Sequence, residues 1–269
     1  MNSNKKLNED LATIHATSNE LNEMNSDFKN ITSEFSHVIN EVFLHYREII
    51  KFIQQSWESV VFIIKETIDN APAITKKVLT MLGQHGWYVS LEMPMSMPMK
   101  MVKRLLHGEM EVVDDIMCKF LELKLESIEK FICDQDPKRT NVIKSAFFAH
   151  KIKEYNLSIP VFLAQADGIC CDSTGYQLYS KIKKIPKTSQ FVEQFTTDSF
   201  IASILEPLRV PMPISANPNE RNQKEITFNR HQILHGEVFD YGTEINSYKA
   251  ISLLNYLCSI LPRSKAIIN

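Results

Sequence analysis

The chain is short of glycine, which interrupts helices, and it has no marked excess of either charge. Only 7 of its 269 residues are glycine, and 30 lysines and arginines nearly balance 32 aspartates and glutamates. The net charge of −2 provides no overall basic field for nucleic acid, so any RNA contact has to be a local basic patch. Scarce glycine together with long periodic segments rich in Leu, Ile, Lys and Glu predicts an all-α fold.

Cysteine patterns typical of metal or redox sites are also missing. The five cysteines are Cys118, Cys133, Cys170, Cys171 and Cys258, and none of them forms a C-x-x-C pair. We interpret them as reduced thiols that mostly fill the core of a cytoplasmic protein. The N-terminus has no secretory apolar segment, and no apolar run approaches the ~20 residues that cross a bilayer. We therefore expect no membrane association.

The commonest nucleotide-binding and hydrolase motifs are absent as well. The chain contains no G-x-G-x-x-G, no Walker A sequence and no G-x-S-x-G, and no convincing internal repeat.

Apolar residues recur at helical spacing along most of the chain. The longest stripe runs from about residue 35 to 69, after a polar segment 1–34 that is either a frayed tail or a thin amphipathic helix. A helix of that length measures ~50 Å, which favours pairing with another helix or another subunit. Further helices are predicted at Ile74–Leu82, Glu109–Ile132, Lys138–Glu154, from an N-cap at Ser158 onward, and at Thr174–Lys184, Gln190–Leu208 and Ser247–Leu261. We divide the chain into an N-terminal helical region, 1–107, and a C-terminal helical domain, 108–269.

The stretch 229–236 concentrates polar side chains that can act on phosphate. Arg230 and His235 form an Arg-x4-His arrangement, and His231 follows the arginine directly. Arginine can hold a phosphate through forked hydrogen bonds, and histidine can move a proton near neutral pH. On a helix Arg230 and His235 lie ~140° apart, so they flank one face and can converge on a phosphate beyond it.

This segment resembles the Arg-x(4–6)-His motif of the HEPN superfamily, all-helical domains that often act as metal-independent ribonucleases. The similarity continues over residues 239–250. The resemblance implies a C-terminal HEPN-like helical bundle with Arg230 and His235 as catalytic residues and His231 as a catalytic residue that positions them. It implies an endoribonuclease that cleaves RNA by 2′-hydroxyl attack, leaving a 2′,3′-cyclic phosphate, without metal or other cofactor. It also implies a homodimer in which two copies of the motif meet.

Four further residues are candidates to support the motif. Asn229 precedes it, and Tyr241 and Glu244 follow it closely. Asp167 is a carboxylate in an otherwise apolar helix, so it needs a partner such as Arg230 or a histidine. Resemblance to bacterial HEPN-like proteins implies a toxin or anti-phage defence effector, which an antitoxin or a defence-system partner protein would restrain.

Three other interpretations stay open. His231 and His235 are four residues apart and could form a zinc pair, although no third ligand is evident. The residues could instead be structural, with Arg230 paired to Asp167 or Glu244 and His235 capping its helix. The domain could also be a catalytically inactive HEPN-like interaction or scaffold module. An open cleft holding Arg230 and His235 favours the enzyme, and a buried salt-bridged network favours the module.

Overall fold

The computed structural model describes residues 33, 36–37, 40–42, 44, 47–51, 53–55, 70–196, 199–221 and 228–261. The chain divides into two compact units, Met1–Thr67 and Ile68–Asn269. In the first unit the described residues are helical and exposed. The long helix predicted over 35–69 is therefore helical wherever it is described, and the predicted tail 1–34 lies outside the described residues except at residue 33.

The regular secondary structure of the second unit, over its described residues, is helical apart from one short hairpin. Its elements are α1 (70–84), α2 (Ser96–Leu106), α3 (Met110–Gln135), α4 (Thr140–Lys151), α5 (Tyr155–Thr174), β1 (Lys181–Ile182), β2 (Ile185–Pro186), α6 (Ser189–Val192), α7 (Phe200–Ile204), α8 (Glu206–Arg209), α9 (Arg230–Leu234) and α10 (Glu244–Ile260). Single 3-10 turns lie at Pro137–Arg139, Pro213–Ser215 and Pro218–Glu220. The predicted all-α fold is confirmed, and the two short strands pair antiparallel.

Helix α10 lies at the centre of the second unit. Every residue from Ala250 to Cys258 is buried, because this helix is apolar on nearly all sides. Helices α3 and α5 both contact α10, and α4 contacts α3 and α5. Phe147 of α4 meets Phe162 of α5 edge to face, with 5.0 Å between ring centroids. No helix in the described ranges is long and apolar enough to cross a membrane.

The domain boundary predicted after residue 107 lies inside the second unit. Trp87, in the loop after α1, is fully buried, and its indole N–H donates to Asp114 Oδ1 of α3 at 2.7 Å. Lys249 Nζ of α10 lies 5.4 Å from the Trp87 ring centre and 3.8 Å from the same carboxylate oxygen. Residues 70–107 therefore share a core with the helices that follow, because the buried tryptophan finds its hydrogen-bond partner there.

Two helical stretches of the second unit contain a proline in their interior. Pro72 falls within the helical residues 70–84, and Pro160 falls within α5, which begins earlier than predicted, at Tyr155. Proline has no N–H, so the carbonyl four residues before Pro160, that of Asn156, lacks its helical partner. The Tyr241 hydroxyl donates to this carbonyl at 3.1 Å. Tyr241 therefore compensates for the missing helical hydrogen bond.

The helices predicted at Thr174–Lys184 and Gln190–Leu208 are wrong. Helix α5 ends at the start of the first range because Gly175 has a left-handed φ of 80°, and the β1–β2 hairpin follows. The second range is divided among α6, α7 and α8, and Ser199 caps the N-terminus of α7. Elements of two to five residues are too short to show a periodic pattern of their own.

A buried polar network joins α4, α5 and α10. His150 Nδ1 lies 2.8 Å from Ser247 Oγ, which in turn lies 3.0 Å from Ser158 Oγ. Ser158, predicted as an N-cap, is therefore an interior residue of α5 with a long-range partner. Burial, with a smaller effect of Lys151, lowers the pKa of His150 to about 4. His150 is consequently neutral in the folded protein near neutral pH.

We expect acidification to destabilise the fold through His150. The unfolded chain binds a proton on this residue near pH 6.5 and the folded chain only near pH 4, so stability is lost as the pH falls through that window. Between pH 7.5 and pH 5 the loss from this one group is about 2 kcal/mol. Urea unfolding at both pH values measures it in the wild type. Glutamine can still bond Ser247 but cannot titrate, so His150→Gln should lose about 2 kcal/mol less unfolding free energy than the wild type between pH 7.5 and pH 5. An equal loss in both proteins would show that His150 is not the group responsible.

Candidate functional site

Asn229 fixes the start of α9 to the preceding loop. Its Oδ1 accepts the Gln232 N–H at 3.0 Å, which makes it the N-cap of the helix. Its Nδ2 donates to the carbonyls of Pro213 and Ala216 at 2.6 and 3.0 Å. Asn229 is buried and has both polar atoms bonded, so its role is to anchor the segment.

A glycine turn ends α9 immediately after the motif. His235 is the C-cap residue, and Gly236 follows with a φ of 70°. The Gly236 N–H donates to the Ile233 carbonyl and the Glu237 N–H to the Gln232 carbonyl, at 3.3 and 2.8 Å. This pair of bonds is a Schellman motif, which needs a residue that tolerates positive φ. The turn leads the chain back so that the two histidines of the helix add to the lowering of the Glu237 pKa, which the Arg221 hydrogen bond dominates.

The two histidines of the motif stack on each other. Their ring centroids are 4.5 Å apart with 32° between the ring planes, as their spacing of four residues on one helical face allows. His235 is exposed, whereas His231 is half-buried. Burial lowers the pKa of His231, and the nearby His235, Arg230 and Arg221 side chains lower it further. His231 therefore favours its neutral form, which can accept a proton.

Arg230 lies against an aromatic ring. Its guanidinium carbon is 5.1 Å from the centre of the Tyr179 ring, a cation–π contact. The Tyr179 hydroxyl donates to the Leu163 carbonyl of α5 at 3.2 Å, which holds the ring in place. Burial raises the pKa of Tyr179 well above its ordinary value, so the ring stays uncharged. Arg230 has no carboxylate partner among the described residues.

Asp167 supports the Tyr179 loop and is not an ion-pair partner of Arg230. Its Oδ1 accepts the Leu178 N–H at 2.7 Å, one residue before the tyrosine. Within the described ranges no salt bridge joins Asp167 to Arg230 or to a histidine. Its half-buried carboxylate thus has a backbone amide as its partner, and it acts on the motif only through the loop that carries Tyr179.

Arg221 and Glu237 complete the surroundings of His231, although the sequence did not lead us to either. Arg221 Nη1 donates to Glu237 at 2.5 Å, and its Nε donates to the Ala216 carbonyl at 3.2 Å. The hydrogen bond from Arg221 lowers the pKa of Glu237. Glu237 in turn raises the pKa of His231, but burial and the nearby His235, Arg230 and Arg221 side chains lower it by more. We call Arg221, Arg230, His231, His235 and Glu237 the histidine cluster.

Three nitrogen atoms of the histidine cluster lack hydrogen-bond partners among the described residues. They are Arg221 Nη2, Arg230 Nε and His231 Nδ1, and all three are buried. In the part of the chain that the structure describes, no other buried side-chain nitrogen or oxygen shares this property. An unsatisfied buried donor costs ~1–3 kcal/mol. Three such atoms in one cluster therefore mark a place where a ligand that hydrogen-bonds to two arginines and a histidine would be stabilised.

Tyr241 and Glu244 lie at a different place, where α10 begins. Tyr241 bonds the α5 backbone as described above, and Glu244 accepts a long hydrogen bond of 3.4 Å from the Tyr155 hydroxyl. Thr243 caps α10, accepting the Asn246 N–H at 3.1 Å. Across the described residues no hydrogen bond or ion pair connects Tyr241 or Glu244 with the histidine cluster.

A sequence signal exists for one of the two residues that we did not predict. A histidine followed by glycine marks a helix end, and the Schellman turn brings the next residue, Glu237, back towards the last helical turn. No comparable signal exists for Arg221, which reaches the cluster across the proline-rich loop 211–220. Among the described residues, no group of three or more His, Cys, Asp or Glu side chains is arranged to hold a metal ion.

Comparisons with known proteins identify no relative. No family model matches the chain. No curated protein and no solved structure is significantly similar to it.

Proposed function

We propose that the histidine cluster is the active site of a metal-independent endoribonuclease of the HEPN type. The observation that carries this proposal is the group of three buried, unpartnered nitrogens on Arg221, Arg230 and His231. A phosphodiester supplies oxygen acceptors and a negative charge, which are what these groups lack. Arginine is suited to this ligand because its planar fork matches two phosphate oxygens.

The chemistry needs a group that takes a proton and another that gives one. The ribose 2′-hydroxyl attacks phosphorus, the O2′–P bond forms and the P–O5′ bond breaks, leaving a 2′,3′-cyclic phosphate and a 5′-hydroxyl. We assign proton acceptance from the 2′-hydroxyl to His231, because its lowered pKa keeps it neutral. We assign proton donation to the leaving 5′-oxygen to the exposed His235.

The arginines stabilise the charge that develops during attack. Arg230 has no carboxylate partner in the described ranges, and Tyr179 holds it from one side without neutralising it. Fixed cationic donors aimed at a developing negative charge typically accelerate such a reaction ~10²–10³-fold each. Asn229 and Asp167 hold this arrangement through backbone contacts, so we expect them to position the site without touching substrate.

The alternative proposal is a catalytically inactive HEPN-like interaction or scaffold module. It expects Arg230 and His235 to be buried in a salt-bridged network, whereas His235 is exposed and Arg230 has no ion pair among the described residues. These observations favour the enzyme. The homodimer, the defence or toxin role, the antitoxin or defence-system partner and the cytoplasmic location follow only from the HEPN resemblance and belong to the same proposal.

We expect purified protein to cut a mixed RNA pool in excess EDTA and to leave 2′,3′-cyclic phosphate ends. His231→Ala, His235→Ala and Arg230→Ala should each reduce the rate by about 10²-fold or more, because each removes a proton-transfer or charge-stabilising group. The matched control is His107→Ala. His107 is also an exposed C-cap histidine followed by a glycine of positive φ, at the end of α2. Cleavage that survives all three cluster variants would place the active site elsewhere, and no cleavage by the wild type would favour the interaction module.

Replacing Glu237 should shift the pH–rate profile of RNA cleavage. Glu237 raises the pKa of His231, so Glu237→Gln should move the acidic limb of the profile to lower pH. Glu109→Gln is the matched control, because Glu109 also follows a helix-ending glycine and pairs with an arginine, Arg104, at 2.7 Å. A limb that moves to higher pH, or does not move, would contradict the role assigned to His231.

A further inference from the structure

A cleft of about 550 Å³ shares Arg221 with the histidine cluster. Its other lining residues include Lys181 and Lys184 of the β1–β2 hairpin and the loop 211–213. This volume lies within the range of roughly 300–1,000 Å³ typical of small-ligand sites. The cleft and the histidine cluster are therefore joined through one guanidinium group.

The charged residues that line the cleft are mostly cationic. Lys181, Lys184 and Arg221 carry positive charge, and Glu220 is the one acidic residue among the described lining. The Glu220 carboxylate already accepts Lys181 Nζ at 2.6 Å and the Asn217 N–H at 3.0 Å. Lys184 has no ion-pair partner among the described residues, and Arg221 Nη2 has no hydrogen-bond partner there. These two groups are the ones free to meet an anion.

Two hydrogen bonds hold the Arg221 guanidinium and leave its third nitrogen without a hydrogen-bond partner among the described residues. Nε is used by the Ala216 carbonyl and Nη1 by Glu237, which fix the plane of the guanidinium. The remaining nitrogen, Nη2, is buried. A guanidinium fixed in this way loses little further conformational entropy when it binds a ligand.

The hairpin turn that carries Lys184 has a strained backbone. Lys183 and Lys184 have φ values of 51° and 69°, and they connect the paired residues Ile182 and Ile185. Two-residue turns of this kind favour Asn-Gly, and a residue with a side chain in this region costs ~1–2 kcal/mol. Strain of this size at a surface site suggests a functional constraint. Lys184 lines the cleft, whereas Lys183 is not among the lining residues.

We infer that this cleft binds an RNA phosphate adjacent to the one held at the histidine cluster, through Lys184 and Arg221. The inference rests on the proposed function, because it takes RNA as the ligand. The lysine ammonium supplies a point charge and the arginine a directed donor, a combination suited to a phosphodiester oxygen. Arg221 lines the cleft and also bonds Glu237 of the histidine cluster, so a phosphate in the cleft and a phosphate at the cluster would share this guanidinium.

Binding is measured with the full chain and a fluorescein-labelled, mixed-sequence 2′-O-methyl RNA by fluorescence anisotropy. The methyl group blocks 2′-hydroxyl attack, so binding is separated from cleavage. Lys184→Asn should weaken binding about fivefold at low salt and reduce the salt slope by about 0.7, because one phosphate contact is lost. Asparagine tolerates positive φ, so this variant keeps the turn. Lys184→Arg should retain the wild-type affinity.

The matched control is Lys183→Asn, which makes the same charge change in the same turn but outside the cleft lining. We expect its affinity to stay within about twofold of the wild type. Equal weakening by the two asparagine variants would indicate a diffuse charge effect and overturn the inference. Failure of the wild type to bind the 2′-O-methyl RNA would also overturn it.

The same experiment separates this inference from the ribonuclease proposal. Binding that depends on Lys184, without any cleavage of ordinary RNA, would support the cleft and count against the ribonuclease. Cleavage of ordinary RNA, with binding that Lys184→Asn does not weaken, would support the ribonuclease and overturn the cleft.

Discussion

The burial of α10 is the constraint on which the second unit depends. A helix that is apolar on nearly all sides has to be surrounded by other elements. Helices α3 and α5 contact α10 directly, and α4 packs against both of them. Polar groups enter this core only where they find partners. Trp87 bonds Asp114, His150 bonds Ser247, and the Asn156 carbonyl left free by Pro160 bonds Tyr241. Each of these contacts satisfies a group that would be costly to bury alone.

The histidine cluster departs from that rule. It is built on a helix of five residues, which is too short to be stable without its surroundings. Asn229 anchors one end to the 213–216 loop and the Gly236 turn closes the other, so the segment is held by hydrogen bonds on both sides. Although the segment is fixed in this way, one side-chain nitrogen each of Arg221, Arg230 and His231 has no hydrogen-bond partner within the described chain. A fixed but unsatisfied set of donors is the property expected of a binding site, where preorganisation reduces the cost of holding a ligand.

The sequence predicted the parts of the fold that have a strong local pattern. Helices α3 and α4 are long and periodic, and α10 is a long apolar segment. The region 174–208 could not be predicted in this way, because its form depends on distant contacts. One is the hydrogen bond from the Thr188 hydroxyl to the Leu208 carbonyl, twenty residues away, and another is the Lys181–Glu220 ion pair that ties the hairpin to a later turn.

The site was predictable to the extent that its residues are close in the sequence. Arg230, His231 and His235 lie on one short helix, so their proximity follows from spacing alone. Asp167 was a candidate because a carboxylate in an apolar helix needs a partner, and Glu244 because it follows the motif closely, but the Leu178 N–H and the Tyr155 hydroxyl bond them instead. Arg221 reaches the cluster through tertiary structure, which spacing does not reveal.

The central claim is that the histidine cluster receives a phosphate, and NMR titration of the His231 ring tests it most directly. Two-dimensional ¹H–¹⁵N spectra of the ring nitrogens, recorded with and without saturating 2′-O-methyl RNA, report the pKa of this residue. We expect the pKa of His231 to lie below its ordinary 6.5 in the protein alone, because burial and the nearby His235, Arg230 and Arg221 side chains disfavour the charged ring. We expect this pKa to rise when RNA binds, because the negative phosphate favours the charged ring. A His231 pKa that does not change when RNA is bound would contradict the claim.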